Sequence, residues 1–120
     1  MTNTLTLLKR ESMISEVKIQ AQIFQWHHNN YPQERGLLCY NLNNSANKIQ
    51  GSQNKAIGLI KGRSDMVYYN NGTAIMIELK NDTGKQSKEQ LLWQATIEKA
   101  GFKYLIMRSL QDFIEFKESV

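Results

Sequence analysis

The stretch GRSDMVYYNNGTAIMIELKNDTGKQS, residues 62–87, predicts a hairpin that carries charged side chains in an apolar strand. Its middle is typical of two strands joined by a turn, because the Asn and Gly residues at 70–72 tolerate the positive φ of a tight hairpin. The second strand, residues 74–80, is apolar except for Glu78 and Lys80. Buried charges are costly unless they are paired or bind a metal ion, so these two side chains require a partner or a ligand.

The hairpin places a second acid beside the first. Its turn is centred near residues 71–72, so Asp65, at the start of one strand, faces Glu78 near the end of the other. Cross-strand neighbours lie about 5 Å apart, and two like charges there would destabilise a purely structural sheet. A divalent cation such as Mg²⁺, which prefers carboxylate and carbonyl oxygens, would make the pair favourable. Strand alternation puts Lys80 on the face of Glu78, and the Leu79 carbonyl between them is a further candidate ligand.

Two carboxylates and an ammonium at one strand end suit phosphodiester hydrolysis. A bound metal ion lowers the pKa of its water and polarises a phosphate oxygen, while a lysine can hold the water and balance charge in the transition state. A structural alternative stays open at this point. A Glu78–Lys80 or an Asp65–Lys80 ion pair at the sheet edge would explain the same residues.

Length and composition predict one domain over residues 1–120. We expect no membrane partner, because no apolar run reaches the roughly 20 residues of a transmembrane helix. The single cysteine, Cys39, excludes an internal disulfide and a thiolate metal site. With no signal-peptide pattern at the N-terminus, these features predict a cytoplasmic protein.

Basic residues dominate one segment of the chain. The formal net charge is +4, and no acidic residue occurs between Arg35 and Ser64. Positive charge of this kind in an irregular segment favours contact with a polyanion such as a nucleic acid. A solvated basic loop is the alternative.

The remaining pattern predicts an α/β fold in the order α-β-β-β-α-β-α. The predicted elements are a helix over residues 11–29, strands over 36–42, 65–69, 74–80 and 102–107, a helix over 87–100 and a last helix from residue 109. In the first helix the apolar stripe is assigned to Ile14, Val17, Ala21 and Phe24. Residues 43–62 are predicted to be a long polar loop with no more than one helical turn. The hairpin and the helical crossover before the last strand predict one mixed sheet with helices on its faces.

Asp, about a dozen residues and then Glu-x-Lys resembles the motif of the PD-(D/E)xK nuclease superfamily. The wider context, residues 58–115, resembles a VRR-NUC domain, the virus-type replication-repair nuclease branch. The features in order are Glu16 in the first helix, Gly62 to Asp65, Glu78-Leu79-Lys80, Ser87 to Gln90 with Trp93 one turn later, Gly101 and a closing strand and helix. The resemblance covers about residues 10–117. Ser64 stands where the superfamily has proline, and Leu79 where the family commonly has valine; neither side chain carries chemistry.

The resemblance implies a restriction-endonuclease-like fold and a DNA endonuclease that depends on Mg²⁺ or Mn²⁺. The implied metal ligands are Asp65, Glu78, the Leu79 carbonyl and Glu16, directly or through water. Lys80 would position water and phosphate, and Gln90 would project into the same site. Two simpler interpretations stay open. Glu16 lies off the predicted stripe, which also fits a solvated helix residue, and Gln90 fits a capping box in which it reaches back to Ser87.

The expected partner is DNA, in branched form such as a four-way (Holliday) junction, and the protein is expected to act as a homodimer without a small-molecule cofactor. A stand-alone domain of this size resembles phage or prophage enzymes of a bacterial host cell. The candidate DNA-binding residues are Lys55, Lys61, Arg63, Lys85, Gln86 and Lys88. The last three precede or open a helix, where backbone N–H groups favour phosphate. The alternatives are a catalytically silent nucleic-acid-binding module of the same fold and a sequence-specific restriction-type nuclease.

Overall fold

A computed structural model describes residues 14–42 and 47–120 of the chain. The elements are α1 (Glu16–Asn30), a 3-10 helix (Pro32–Glu34), β1 (Leu38–Tyr40), α2 (Lys48–Ala56), β2 (Met66–Asn70), β3 (Thr73–Leu79), α3 (Lys88–Lys99), β4 (Lys103–Met107) and α4 (Leu110–Ser119). The predicted α/β fold class is confirmed. Residues 11–13 of the predicted first helix and 43–46 of the predicted loop lie outside the described residues.

The four strands form one mixed sheet in the order β1-β2-β3-β4. β2 and β3 are the predicted antiparallel hairpin, paired from Met66 with Ile77 to Asn70 with Thr73. Asn71 and Gly72 form its turn with φ angles of 50° and 76°, a conformation that Asn and Gly tolerate better than other residues. β1 pairs antiparallel with the other side of β2. The register of the hairpin is therefore the one that the turn residues predict.

The described residues group into two compact units. The first contains residues 14–35, 79–85 and 106–120, and the second contains 36–42, 47–78 and 86–105. In the first unit α1 packs against α4, with the side chains of Ile19, Ile23 and Phe113 fully buried. In the second unit the core is built on the sheet around Val67, Ala74, Met76 and Tyr104, with Cys39, Trp93 and Ile97 packed against it.

The buried face of α1 differs from the predicted one. Val17 is 79% exposed and Phe24 43% exposed, whereas Ile19 and Ile23 are 0% exposed. Both stripes have helical spacing, so periodicity alone could not choose between them. The isoleucines bury one side, and Ser15 caps the helix by accepting a hydrogen bond from the Lys18 N–H at 3.2 Å.

The second difference is α2, which replaces part of the predicted loop over 43–62. This helix has nine residues and begins after Asn47, whose side chain accepts a hydrogen bond from the Gln50 N–H at 2.8 Å. Its sequence, KIQGSQNKA, contains residues with low helix propensity and has no apolar stripe; Ile49 is 75% exposed. The N-cap is the local signal that indicates the helix.

Candidate active site

The hairpin register brings two carboxylates to one end of the sheet. One step beyond the pair Met66–Ile77, the register sets Asp65 opposite Glu78. The Glu78 side chain is fully buried, at 0% exposure, whereas Asp65 is half-buried. The Asp65 carbonyl accepts a hydrogen bond from the Asn41 N–H at 2.8 Å, which continues the pairing with the segment after β1. The structure thus places the predicted acidic pair at neighbouring positions.

Tyr104 on β4 provides a donor to the buried acid. Its hydroxyl donates a hydrogen bond to Glu78 Oε1, and its ring meets Trp93 edge-on at 5.9 Å between centroids. Burial raises the pKa of the Tyr104 hydroxyl, and the hydrogen bond to Glu78 and the charge of Glu78 raise that pKa further. The charge of Asp65 acts in the same direction, so both carboxylates influence this hydroxyl. Sequence reasoning missed Tyr104, because a tyrosine in an apolar strand is typical of core packing.

The N-terminus of α3 is capped by the predicted capping box. Ser87 Oγ accepts a hydrogen bond from the Gln90 N–H at 3.2 Å, and Gln90 Oε1 accepts one from the Ser87 N–H at 2.8 Å. The capping interpretation of Gln90 is therefore what the structure shows, and its role toward a substrate stays a prediction. Just before the box, Gln86 Nε2 donates to Gln94 Oε1 at 2.8 Å. The Gln86 amide is thus bonded to α3, and its contact with DNA stays a prediction.

Gly62 fixes the segment that leads to Asp65 against α3. Its φ is +87°, and a β-carbon at this position would lie 2.5 Å from the carbonyl carbon and oxygen of Glu89 and 2.8 Å from the Gln90 nitrogen. Real β-carbons do not approach backbone atoms so closely, so only glycine fits. The Gly-x-x-Asp pattern of the sequence therefore has a packing cause.

Glu16 and Lys80 approach the same glycine in the first unit. A β-carbon on Gly84 would lie 3.2 Å from Glu16 Oε1, 3.3 Å from Lys80 Cδ and 3.0 Å from Asn81 Oδ1. Ile23 lies seven positions after Glu16, nearly two helical turns, so Glu16 shares the face that α1 buries. Its side chain is half-buried, and Lys80 is 7% exposed. The structure therefore places both Glu16 and Lys80 beside Gly84, which the predicted stripe of α1 did not indicate.

Arg108 holds the loop that carries Gly84. Its guanidinium Nη1 donates to the carbonyl oxygens of Asn81 at 2.7 Å and Gly84 at 2.9 Å. The Lys80 N–H donates to the Met107 carbonyl at 3.1 Å, one residue before Arg108. Sequence reasoning missed Arg108, because nothing local distinguishes an arginine that binds backbone carbonyls from a solvated one.

The predicted DNA-binding cations differ in their surroundings. Lys55, Lys85 and Lys88 are exposed, and Arg63 is half-buried. Lys61 is 79% exposed and lies 3.8 Å from the Glu89 carboxylate, a pair that contributes little to stability in water. A backbone hydrogen bond and the charge of Lys61 lower the pKa of Glu89. This ionised acid in the first turn of α3 competes with a phosphate for the helix N-terminus.

The donor set fits a hard cation that keeps part of its water. Within residues 14–42 and 47–120, no group of three or more His, Cys, Asp or Glu side chains is arranged to hold a metal ion. Mg²⁺ typically binds one or two carboxylates and completes its shell with water and substrate phosphate. Asp65 and Glu78 supply such a pair, and a carboxylate as buried as Glu78 is stabilised by positive charge. The residues present therefore fit Mg²⁺ or Mn²⁺ and do not fit a closed all-protein site.

No family model and no curated protein matches the sequence. The fold does match: a solved structure described as a VRR_NUC domain protein has a TM-score of 0.71 with this chain, at 14% sequence identity, over 88% of this chain and 87% of that chain. The chain has the VRR-NUC fold. The predicted resemblance and the restriction-endonuclease-like sheet with flanking helices are thereby confirmed as a fold.

The VRR-NUC fold does not by itself assign the side chains. At 14% identity the likeness is one of backbone arrangement, so the roles of the site residues follow from their chemistry. None of the helices that the structure describes is both long enough and apolar enough to cross a membrane.

Proposed function

We propose that this chain is a metal-dependent DNA endonuclease that hydrolyses phosphodiester bonds, with a preference for branched DNA such as four-way junctions. The observation that carries the proposal is the acidic pair: Asp65 lies opposite the fully buried Glu78 in the hairpin register. Lys80 follows Glu78 by two residues, and the chain has the VRR-NUC fold. A module that only binds DNA gains nothing from paired carboxylates, because they repel phosphate.

Each residue has a distinct task in this proposal. Asp65, Glu78 and the Leu79 carbonyl would hold Mg²⁺ or Mn²⁺, which when bound activates water and polarises a phosphate oxygen. The Lys80 ammonium would bind the scissile phosphate and orient the attacking water. Its side chain is 7% exposed, and a charge with so little water around it interacts strongly with phosphate. Glu16, which approaches Gly84 beside Lys80, would orient water at that ammonium.

Exposed cations would hold the rest of the DNA. Phosphate contacts are electrostatic and independent of sequence, so they suit an enzyme that recognises the shape of a junction. The residues proposed for these phosphate contacts are the exposed Lys55, Lys61, Lys85 and Lys88 and the half-buried Arg63. A homodimer would place two equivalent sites on two strands, and symmetric cleavage of a junction requires such a pair. We propose a cytoplasmic location, in a bacterial host cell if the protein is encoded by a phage or prophage.

The experiment is a cleavage assay on an end-labelled four-way junction and on a linear duplex of matched sequence. Each is incubated with protein in Mg²⁺, in Mn²⁺ and in EDTA. We expect symmetric cuts in the junction, weak cleavage of the duplex and none in EDTA. Asp65→Asn and Lys80→Met should each lower the rate by about 10²-fold or more, because each removes a charge used in the transition state. Asp82→Asn is the matched control, since Asp82 is exposed.

Two results would change the assignment, and a third would change only the oligomeric state. Retained binding to the junction without cleavage would favour the silent nucleic-acid-binding module. Cuts in linear duplex at fixed sequences would favour a restriction-type nuclease. A monomer by light scattering at micromolar protein would contradict the homodimer and leave the nuclease assignment standing.

A further inference from the structure

A series of polar side chains leads from α3 to the buried carboxylate of Glu78. Gln94 Oε1 accepts from Gln86 Nε2 at 2.8 Å, the Gln86 amide also interacts with the Tyr104 hydroxyl, and that hydroxyl donates to Glu78 Oε1. The Tyr104 side chain is nearly buried, at 8% exposure, and its ring is held by Trp93. The packing of the ring and the hydrogen bond to Glu78 therefore fix the position of the hydroxyl. Tyr104 and Gln94 have no task in the proposed reaction.

The hydrogen bond from Tyr104 orients the Glu78 carboxylate and makes its two oxygens unequal. Because Oε1 accepts the tyrosine hydrogen bond, the orientation of the Glu78 carboxylate is set, and Oε2 is the oxygen that would meet a cation. Partners of this kind orient metal ligands, and their removal typically weakens metal binding by about 10–100-fold. A carboxylate that offers one oxygen suits Mg²⁺ or Mn²⁺, which require near-octahedral geometry. Ca²⁺ accepts six to eight oxygens and commonly takes both oxygens of one carboxylate.

We propose that Tyr104 is a positioning residue that makes Glu78 a one-oxygen ligand and thereby selects Mg²⁺ or Mn²⁺ over Ca²⁺. This inference rests on the proposed function, because it assumes that Asp65 and Glu78 bind a divalent cation. Gln86 and Gln94 act on the metal only through the tyrosine. Their substitution should therefore shift the selectivity in the same direction and by less.

The test measures metal binding without DNA. Isothermal titration calorimetry with Mn²⁺ and with Ca²⁺ is carried out on the full chain and on Tyr104→Phe, which keeps the ring and removes the donor. The variant should lose affinity for Mn²⁺ by about 10-fold or more. Ca²⁺ should keep its affinity or gain, because both oxygens of Glu78 are released to it. The ratio of the Mn²⁺ and Ca²⁺ affinities therefore falls by about 10-fold or more.

Two further variants make the test specific. Tyr69→Phe is the matched control, because Tyr69 is a tyrosine on β2 in the same unit and is 47% exposed; its affinity ratio should equal that of the parent. Gln86→Leu should lower the ratio by a smaller factor. If Tyr104→Phe does not fold, as judged by circular dichroism, the test rests on Gln86→Leu. A lower ratio of the Mn²⁺ and Ca²⁺ affinities in that variant then supports the proposal, and an unchanged ratio overturns it.

The outcomes separate the two proposals. An unchanged affinity ratio in folded Tyr104→Phe, with tight Mn²⁺ binding by the parent, overturns the role of Tyr104 and leaves the nuclease standing. An equal loss of both metals also overturns it, because the tyrosine would then support the site without selecting the ion. An absence of Mn²⁺ binding in the parent instead refutes the metal site itself.

Discussion

Replacing Gly62 with alanine tests the close packing between the start of the Asp65 strand and α3. A β-carbon at residue 62 would lie 2.5 Å from the Glu89 carbonyl carbon and oxygen. Those atoms belong to the backbone of α3, so they cannot rotate away as the end of a side chain could. The segment before Asp65 or the first turn of α3 must move.

The loss of stability in Gly62→Ala has two parts, and the same substitution at a second glycine separates them. An L-residue in the left-handed region costs about 1–2 kcal/mol, and forcing atoms into a packed region costs about 1–3 kcal/mol more. Gly62→Ala should therefore lower the free energy of unfolding by roughly 2–5 kcal/mol. Gly58 has a φ of +107°, and apart from its chain neighbours no atom of the described residues lies within 4 Å of its β-carbon position. Gly58→Ala should cost only the first part, about 1–2 kcal/mol.

Urea unfolding followed by far-UV circular dichroism measures both variants. The expected order of stability is parent, Gly58→Ala and then Gly62→Ala, with equal urea dependence of the free energy if both unfold in one step. Mn²⁺ titration of the same samples should show weaker binding in Gly62→Ala alone, because Asp65 follows Gly62 by three residues. Equal losses of stability in the two variants would refute the reasoning, since they would show that the backbone conformation matters and the approach to α3 does not.

Two more predictions concern the first unit. Ile19→Ala should lower the free energy of unfolding by about 2–5 kcal/mol, because removal of a fully buried side chain leaves a cavity. Val17→Ala should change it by less than about 0.5 kcal/mol. Comparable losses of the two variants in urea unfolding would contradict the observed face of α1. Glu34 accepts from Lys117 Nζ at 3.0 and 3.1 Å, so Glu34→Gln should cost about 3–5 kcal/mol by leaving a buried ammonium without its carboxylate. Lys117→Met should recover much of that loss, and no recovery in the double variant would refute the ion pair as the cause.

The hairpin could be predicted because its information is local. Asn71 and Gly72 allow one kind of turn, and the turn sets which residues of two adjacent strands face each other. Asp65 and Glu78 are then placed by counting, without knowledge of the rest of the molecule. The capping box at Ser87 could be predicted for the same reason, since its four residues are consecutive.

The face of α1 could not be predicted, because it depends on what the helix packs against. Val17 and Ile19 are both β-branched and apolar, and both belong to stripes with helical spacing. Only the partner α4, with Phe113 fully buried, decides that the isoleucine faces inward. The error matters for function, since the wrong stripe makes Glu16 a surface residue, whereas the observed stripe places it beside Gly84, which Lys80 also approaches.

Tyr104 shows how far a sequence argument about buried charge can be taken. The apolar run around Glu78 implies that the acid is buried, and a buried acid requires donors or a cation. The apolar run does not identify the donor, because Tyr104 follows Glu78 by 26 residues. Tyr104 reaches Glu78 only through the crossover that makes β3 and β4 neighbours. The crossover itself is predictable from the helix between the strands. A search of β4 for tyrosine, histidine or arginine would then have found the donor, since Tyr104 is the polar side chain on that strand that faces the core.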